Sequence, residues 1–420
     1  MRQPPCGPRS IDRTPVPTAC TSSIADPPKR PKLLFLVTED WYFWSHRLPV
    51  ARAARDAGFA VVVATRVRDH AERIRAEGFQ LAPLPWRRRG DGAIGAVRAI
   101  IAIARLYRRE RPDIVHHVAL KSVLFGGLAM RLAFPGVAGR PAGIAAVTGL
   151  GSGLGSTTGS ARFGRAVLGR AVLGWAVCRL AGAGRIIVQN PEDGAALAGF
   201  GINPARLVLI RGSGVDIAHF APLPEPFETP EGTVAVALVA RMLRSKGVLD
   251  AVAAVRRLRG DGVAVELLLA GPTDPDNSDS LDEPALSQLA AEPGVEWLGR
   301  VEDVRAVWRR AVIAVFPSTY GEGVPKALLE AASCGRAIVA ADMPGCREVV
   351  RPGETGLLVP PHDIAALAEA LAALVRDAPR RIAMGRAGRE LVERAFSEER
   401  VAQQTLALYQ DALRERGMTQ

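Results

Sequence analysis

Short uninterrupted apolar runs alternate along this chain with longer stretches whose apolar positions recur every three or four residues. "KLLFLVTED" (Lys32 to Asp40), "FAVVVATR", "FQLAPLP", "DIVHHV", "GIAAVTGL" and "RIIVQN" read as strands, and the runs apolar at every position are those a strand buried on both faces requires. Between them the helical period predicts helices at about Ser45 to Ala57, closed by Gly58, near Ala71 to Glu77, near Ala93 to Arg109, from Ser122, and near Phe163 to Leu180. Strand-helix alternation of this kind predicts a parallel sheet covered on both sides.

The pattern restarts near Leu207. "RLVLIRGSGVD" reads as a strand and a polar turn, and "PLPEPFETPEG" (Pro222 to Gly232) as part of an interdomain connection. "TVAVALVAR", "VELLLAG", "VEWLGR", "AVIAVFPS", "AIVAAD" and "TGLLVPP" follow with helices between them. The expected fold is therefore α/β: two doubly wound, Rossmann-like parallel-sheet domains facing across a cleft, residues 32–205 and 206–385. The remainder, 386–420, is helical with a break around "AFSEER", and residues 1–31, rich in Pro, Ser and Thr, read as a disordered leader. Ligands of such open sheets sit at the carboxyl ends of the strands, where the two domains face one another.

At 420 residues, 48% hydrophobic and 23% charged, the composition is that of a globular protein able to bury two cores. No apolar run is long enough to span a membrane. Five scattered cysteines (Cys6, Cys20, Cys178, Cys334, Cys346) show neither metal spacing nor a disulfide framework, and a reducing cytoplasm is the expected setting. The net charge of +11 favours anionic partners. Nearly all of it is arginine, with lysine only at Lys29, Lys32, Lys121, Lys246 and Lys326.

Candidate chemistry concentrates in "YGEGVPKALLE" (Tyr320 to Glu330), the loop at the end of the "AVIAVFPS" strand. Pro325 suits a first helical position, and Gly335 stops the helix that follows. The free N–H groups and dipole of that helix start form an anion site, which Gly321 and Gly323 allow a phosphate to approach closely. Glu330 lies roughly 7 Å further along the axis, at ~1.5 Å per residue, a distance that suits the vicinal hydroxyls of a ribose. Glu322 in the loop suits the hydroxyls of a second ring. A phosphate between two hydroxyl readers describes a nucleotide sugar. Taken singly, Glu330 could equally pair locally and Glu322 be a solvated loop acid. "LVARMLRSKG" adds Arg241 and Lys246 at a strand end, two fixed cations able to neutralise a leaving diphosphate without a metal. "RGSGVD" adds a glycine turn at Gly214.

These segments, with "LLLAG", "VEWLGRVEDV", "FPSTYGEGVPKALLEAASCGRAIVAADMPGCREVV" and "GETGLLVPPHD", resemble the carboxyl domain of family 4 retaining glycosyltransferases, which have the GT-B architecture. The resemblance covers about Arg206 to Arg400. It implies transfer of a sugar, with retention and without metal or other cofactor, from a nucleotide-diphosphate donor, UDP in most members, to an acceptor hydroxyl. Carried over, Glu322, Arg241 and Lys246 are catalytic. Glu330, Gly321, Gly323, Val324 and Gly214 hold the nucleotide sugar, and the backbone of Trp297, Leu298 and Arg300 brackets the base. The last helix is expected to return to the amino domain.

The amino half is similar to the bacterial polysaccharide branch, which implies a lipid-linked saccharide acceptor. Where many members have a glycine-rich loop this chain has "TEDWYFWSHR", and where they have H-x-H it has "HHVALK", with Val118 in place of the second histidine. The acceptor side is expected at His46, His116, His117, Lys121, Gly149 and Gly151, the glycines belonging to "TGLGSGLG".

"WRRRGDGAIGAVRAIIAIARLYRRERPD" carries eight arginines against three acids, with its apolar positions on one helical face. Such a helix can lie on an anionic bilayer or pack on the amino-domain sheet, and a lipid-linked acceptor would place the chain on the inner face of the cytoplasmic membrane. "RFGRAVLGRAVLGWAVCRLAG" is a second candidate of the same kind. Nucleic acid is not expected as a partner, since no recognised module accompanies the charge. The alternatives within the architecture are a transferase with a soluble acceptor, a nucleotide-sugar epimerase, and a non-catalytic nucleotide-sugar-binding protein.

Overall fold

A strand apolar on both faces is stable only where helices cover both sides of its sheet, and the apolar runs pair accordingly. The computed structural model describes residues 1, 30–86, 92–136, 139–150, 184–225 and 232–417. The strands and helices below belong to one compact unit, Pro31–Gln420. Nearly all of the expected leader, the helix expected near Phe163–Leu180 and Gly151 lie outside the described residues.

Among the described residues the first sheet has seven strands: β1 Lys32–Glu39, β2 Ala60–Arg66, β3 Gln80–Pro83, β4 Ile114–Val118, β5 Ala142–Val147, β6 Arg185–Val188 and β7 Leu207–Leu209. All pair in parallel, in the order β3-β2-β1-β4-β5-β6-β7. The second has six: β8 Val234–Val239, β9 Val265–Ala270, β10 Val295–Gly299, β11 Ile313–Phe316, β12 Ala337–Ala341 and β13 Gly356–Val359. They too are parallel, in the order β10-β9-β8-β11-β12-β13. The order reverses between β1 and β4 in one sheet and between β8 and β11 in the other, so each sheet opens a crevice at the carboxyl ends of those strands.

Two boundaries differ from the sequence reading. The strand at Leu207–Leu209 does not open the second domain at 206; it pairs with β6 as the edge of the first sheet. Its three residues are at most partly buried, and an edge this short has no pattern of its own to assign it. The helix expected over Ser45–Ala57 is two, Asp40–His46 and Leu48–Asp56. Pro49 lacks an N–H and cannot share a helix with the carbonyl four residues back. That carbonyl, of Ser45, instead accepts a hydrogen bond from Lys326 Nζ at 2.6 Å.

Helices Ile364–Arg376 and Ala378–Ala395 cover the second sheet; the chain then breaks at Phe396 and Ser397. Ser397 caps helix Glu398–Arg414, its hydroxyl accepting from Arg400 N. That helix puts Val401, Leu408, Tyr409 and Leu413 into the core containing Phe35, Val37 and Val63 of the first sheet. Each such side chain contributes about 1.5–3 kcal/mol on leaving water, which anchors the end of the chain to the first sheet.

Candidate active site between the two sheets

A cavity of about 440 Å³ lies where the carboxyl ends of the two sheets meet. Thr38 and Glu39 at the end of β1, Ala119 to Lys121 after β4, Thr148 to Leu150 after β5 and Gln189 after β6 form one wall. Arg241 after β8, Lys246, and Tyr320, Glu322, Gly323, Val324 and Lys326 after β11 form the other. The crossover points of both sheets thus face one space.

On the second wall the loop after β11 folds back on the turn after β8. Lys246 Nζ is ion-paired with the Glu322 carboxylate, to which Ser318 Oγ also donates at 3.2 Å. Arg241 pairs with Asp274 and lies 5.8 Å above the Trp41 ring from the first domain. Pro325 precedes helix Lys326–Ser333 as its extended cap, with no side chain closing the helix start. Two amides of the glycine loop reach across the cavity: Gly323 N donates to Thr148 O at 3.1 Å and Val324 N to Gln189 Oε1 at 3.0 Å. Gly149 (φ +113°) comes so close to this loop that a Cβ there would lie 2.5 Å from Gly321 O.

The first wall carries His46, stacked on Tyr42 at 4.2 Å and bonded through Nδ1 to Ser45 Oγ at 2.6 Å. Burial, then the neighbouring Lys326 and Arg47 charges, hold its imidazole well below its ordinary value, so it is neutral. Across the edge of the crevice, Glu39 lies 3.6 Å from Arg66 and 3.3 Å from Arg68, and both arginines pair with Asp276 of the second domain.

Of the expected residues, the cavity brings together Arg241, Lys246, Glu322, Gly323, Val324, His46, Lys121 and Gly149. Gly321 borders it beside Gly149. Glu330 lies on helix Lys326–Ser333 away from the cavity lining; burial outweighs the attraction of Lys326 and pushes its carboxyl up to about 7. Trp297, Leu298 and Arg300 lie at the end of β10, the outermost strand, where Trp297 Nε1 donates to Gly271 O. Gly214 packs against the start of helix Glu398–Arg414, and its neighbour Ser213 lines the cavity instead.

The two histidines of β4 are not on the cavity wall. Alternate residues of a strand face opposite sides, and both sides of this sheet are core. His116 Nδ1 is 2.6 Å from Tyr409 Oη and His117 Nε2 is 2.9 Å from Tyr107 Oη. Burial lowers both, His117 to about 3. Gln189, Tyr42, Trp86 and Lys326 line the cavity without having been expected there. Lysine scarcity is the signal that pointed nearest to them: of five lysines in the chain, Lys121, Lys246 and Lys326 line this one space. Among the described residues no cluster of His, Cys, Asp and Glu is arranged to hold a metal.

Residues 32–152 match a family model described as glycosyl transferase 4-like, and residues 233–377 one described as glycosyl transferases group 1. The chain is 36% identical over 226 residues to an alpha-maltose-1-phosphate synthase of Mycolicibacterium smegmatis, a match covering 50% of this chain and 57% of that protein. The chain thus spans little more than half the length of that relative. It is 24% identical over 375 residues to an N,N'-diacetylbacillosaminyl-diphospho-undecaprenol alpha-1,3-N-acetylgalactosaminyltransferase of Campylobacter jejuni, covering 86% of this chain and 94% of that one. Among solved structures, Anabaena HepE in complex with UDP and glucose superposes with a TM-score of 0.71 at 18% identity, over 90% of this chain and 99% of that chain. One family model fits the first sheet, its counterpart the second, and the two sheets meet as in GT-B structures: the chain belongs to the family 4 glycosyltransferases.

Proposed function

We propose that this chain transfers a sugar, with retention and without a metal, from a UDP-sugar to a hydroxyl of a lipid-linked saccharide. The observation that carries this reading is the convergence of Arg241, Lys246, Glu322 and the Gly323–Val324 amides on one cavity. Arg241 and Lys246 take the charge that grows on the leaving diphosphate, in a site whose donors are fixed before the reaction begins. Glu322, freed from Lys246 as the phosphate takes that cation, orients the donor sugar. Gly323 and Val324 exchange Thr148 and Gln189 for phosphate oxygens. The leaving phosphate accepts the acceptor's proton on the face from which it departs. Glu330 takes the ribose hydroxyls after a small rearrangement of its helix. The UDP-bound Anabaena neighbour supports a UDP donor and the Campylobacter relative a lipid-linked acceptor.

Thermal shift against UDP, GDP and ADP tests the donor. UDP is expected to raise the Tm of the wild type and not of Arg241→Ala, since a ligand stabilises the state it binds; equal shifts in both proteins would remove Arg241 from the site. The UDP effect is also expected to grow as pH rises through about 7, where Glu330 ionises and becomes a full acceptor, and to be flat with pH in Glu330→Gln. Without ligand the sign is opposite. A carboxyl raised from 4.5 to about 7 in the folded state weakens the fold across that interval as pH rises, because the unfolded chain releases its proton first.

The same reading places the first domain on an anionic membrane. Helices Gly92–Glu110 and Ala119–Ala133 pack together and leave Ile94 (67% exposed), Val97 (55%), Ile101, Leu128 and Leu132 in solvent. Arg98 and Arg105 share the outer face of the first helix with Ile94, Val97 and Ile101. Among the described residues no helix is long and apolar enough to cross a membrane. Flotation with vesicles containing phosphatidylglycerol is expected to recover the wild type and to lose Ile94→Asp/Val97→Asp. Absence of binding at low salt would refute membrane contact and leave the transfer reaction standing.

A further inference from the structure

The carboxyl end of β1 runs directly into helix Asp40–His46, so the aromatic stretch "DWYFWSH" begins where the crevice opens. Tyr42 and His46, one helical turn apart, share a helix face, and both line the cavity. Their rings stack at 4.2 Å, within 7° of parallel. Trp41 beside them carries the Arg241 guanidinium over its ring. An aromatic surface of the first domain thus stands opposite the cations of the second.

The tautomer of His46 follows from its neighbours. Ser45 Oγ lies 2.8 Å from Trp41 O, a carbonyl that only accepts, so the hydroxyl proton is used there. In the 2.6 Å contact between Ser45 Oγ and His46 Nδ1, the donor is therefore Nδ1–H. A neutral imidazole has a single N–H, which leaves a lone pair on Nε2, on the ring edge turned away from Ser45. Nε2 has no hydrogen-bond partner among the described residues and is not one of the unpartnered atoms sealed from solvent. In a partly exposed side chain that lines the cavity, it opens on that space. Burial and the charges of Lys326, Arg47 and Arg241 keep the ring from taking a second proton.

A fixed lone pair repels phosphate and carboxylate oxygens and needs an O–H or N–H to accept from. Arg241 and Lys246 serve the donor's diphosphate and Glu322 its sugar, all on the second wall, so a hydroxyl that meets the first wall belongs to the other substrate. Resting on the glycosyltransferase reading, we propose that Tyr42 and His46 form the acceptor's saccharide subsite, where His46 Nε2 accepts a hydrogen bond from a hydroxyl of the sugar that receives the new residue. The contact holds that sugar beside Arg241, where the diphosphate departs. A ring this hard to protonate orients a hydroxyl without removing its proton, and the attacking proton is left to the leaving phosphate.

Nitrogen NMR of the full chain, labelled in its six histidines and saturated with UDP, tests this; His46→Gln identifies the His46 signals. Before sugar is added, His46 is expected to show a protonated Nδ1 and a bare Nε2. The probes are the methyl glycosides of glucose, galactose, N-acetylglucosamine and N-acetylgalactosamine, with inorganic pyrophosphate beside them. At least one glycoside is expected to move Nε2 upfield while Nδ1 stays nearly still, and pyrophosphate is not. Affinity for that glycoside is expected to fall at least about fivefold in His46→Phe, which keeps the ring stack and loses both nitrogens, and less than about threefold in His46→Gln, whose amide oxygen can stand where Nε2 stood. A rise in Tm with UDP in both variants shows that the fold and the donor side are intact. An Nε2 that is protonated, or that no glycoside moves, overturns the subsite, as does equal binding by His46→Phe. A shift produced by UDP-N-acetylglucosamine and by no glycoside places His46 on the donor sugar and overturns it too. Failure of UDP to raise the Tm of the wild type overturns the donor reading instead, and a glycoside that moves Nε2 without UDP would still establish the saccharide subsite.

Discussion

Lys246→Ala is expected to lower kcat/KM for the UDP-sugar by about 10²–10³-fold, the loss that follows removal of one preorganised donor from a developing oxyanion. Lys246 is the natural place for so large an effect. Its side chain is mostly buried, lies 5.5 Å from the Phe316 ring and 5.9 Å from Tyr320, and is already ion-paired with Glu322. The turn that carries it is closed by Gly247, whose left-handed φ of +75° also spares a clash with Pro317 O. The lysine therefore reaches the cavity at no further ordering cost when donor binds. Initial rates with varied donor, set beside UDP affinity, check this. A fall in kcat with UDP affinity nearly kept would place Lys246 in the transition state, and a loss under fivefold would remove it from the chemistry.

Gly149→Ala is expected to lower kcat by about 10–100-fold, the scale of loss that follows roughly 1 Å of misplacement in a reacting pair, while UDP affinity stays within about threefold. Two costs coincide at this position. A φ of +113° is reached readily only by glycine, and the added Cβ would meet Gly321 O at 2.5 Å and Gly323 N at 2.7 Å. Backbone cannot yield as a flexible side chain does, so the substitution holds the first domain off the glycine loop of the second. Donor binding rests on Arg241, Lys246 and the loop amides of the second domain and is spared; the approach of an acceptor carried by the first domain is not. Solution scattering of the UDP complex should show a larger radius of gyration than wild type. Unchanged kcat would mean that this juncture is not the working arrangement.

Much of this was legible along the chain. Residues apolar at every position announce strands buried on both faces, and the glycines and Pro325 of "YGEGVPKALLE" announce a strand end and a helix start. Local chemistry misled where burial decided. His116 and His117 stand at the end of a strand, where a ligand contact is reasonable, yet each is a core residue matched to a tyrosine, His116 to Tyr409 across 293 positions and His117 to Tyr107 on the preceding helix. Trp297, Leu298 and Arg300 lie at a strand end too, but on the outermost strand, which the order β10-β9-β8-β11-β12-β13 places away from the crossover.

By itself the sequence determined two parallel sheets and two strand-end clusters, Arg241 with Lys246 after one strand and Glu322 with its glycines after another, because spacing within a strand-loop-helix unit holds the residues of that unit together whatever the rest of the chain does. That the two clusters meet, Lys246 pairing with Glu322, follows from β8 and β11 being neighbours in the sheet. Only the tertiary structure decided which wall faces which. Gln189 reaches Val324 across 135 positions and Lys326 reaches Ser45 across 281. Such pairs arise from the order of strands in two sheets and from the angle at which the sheets meet. No local pattern records either, since both are set by the packing of whole faces rather than by any one stretch of chain.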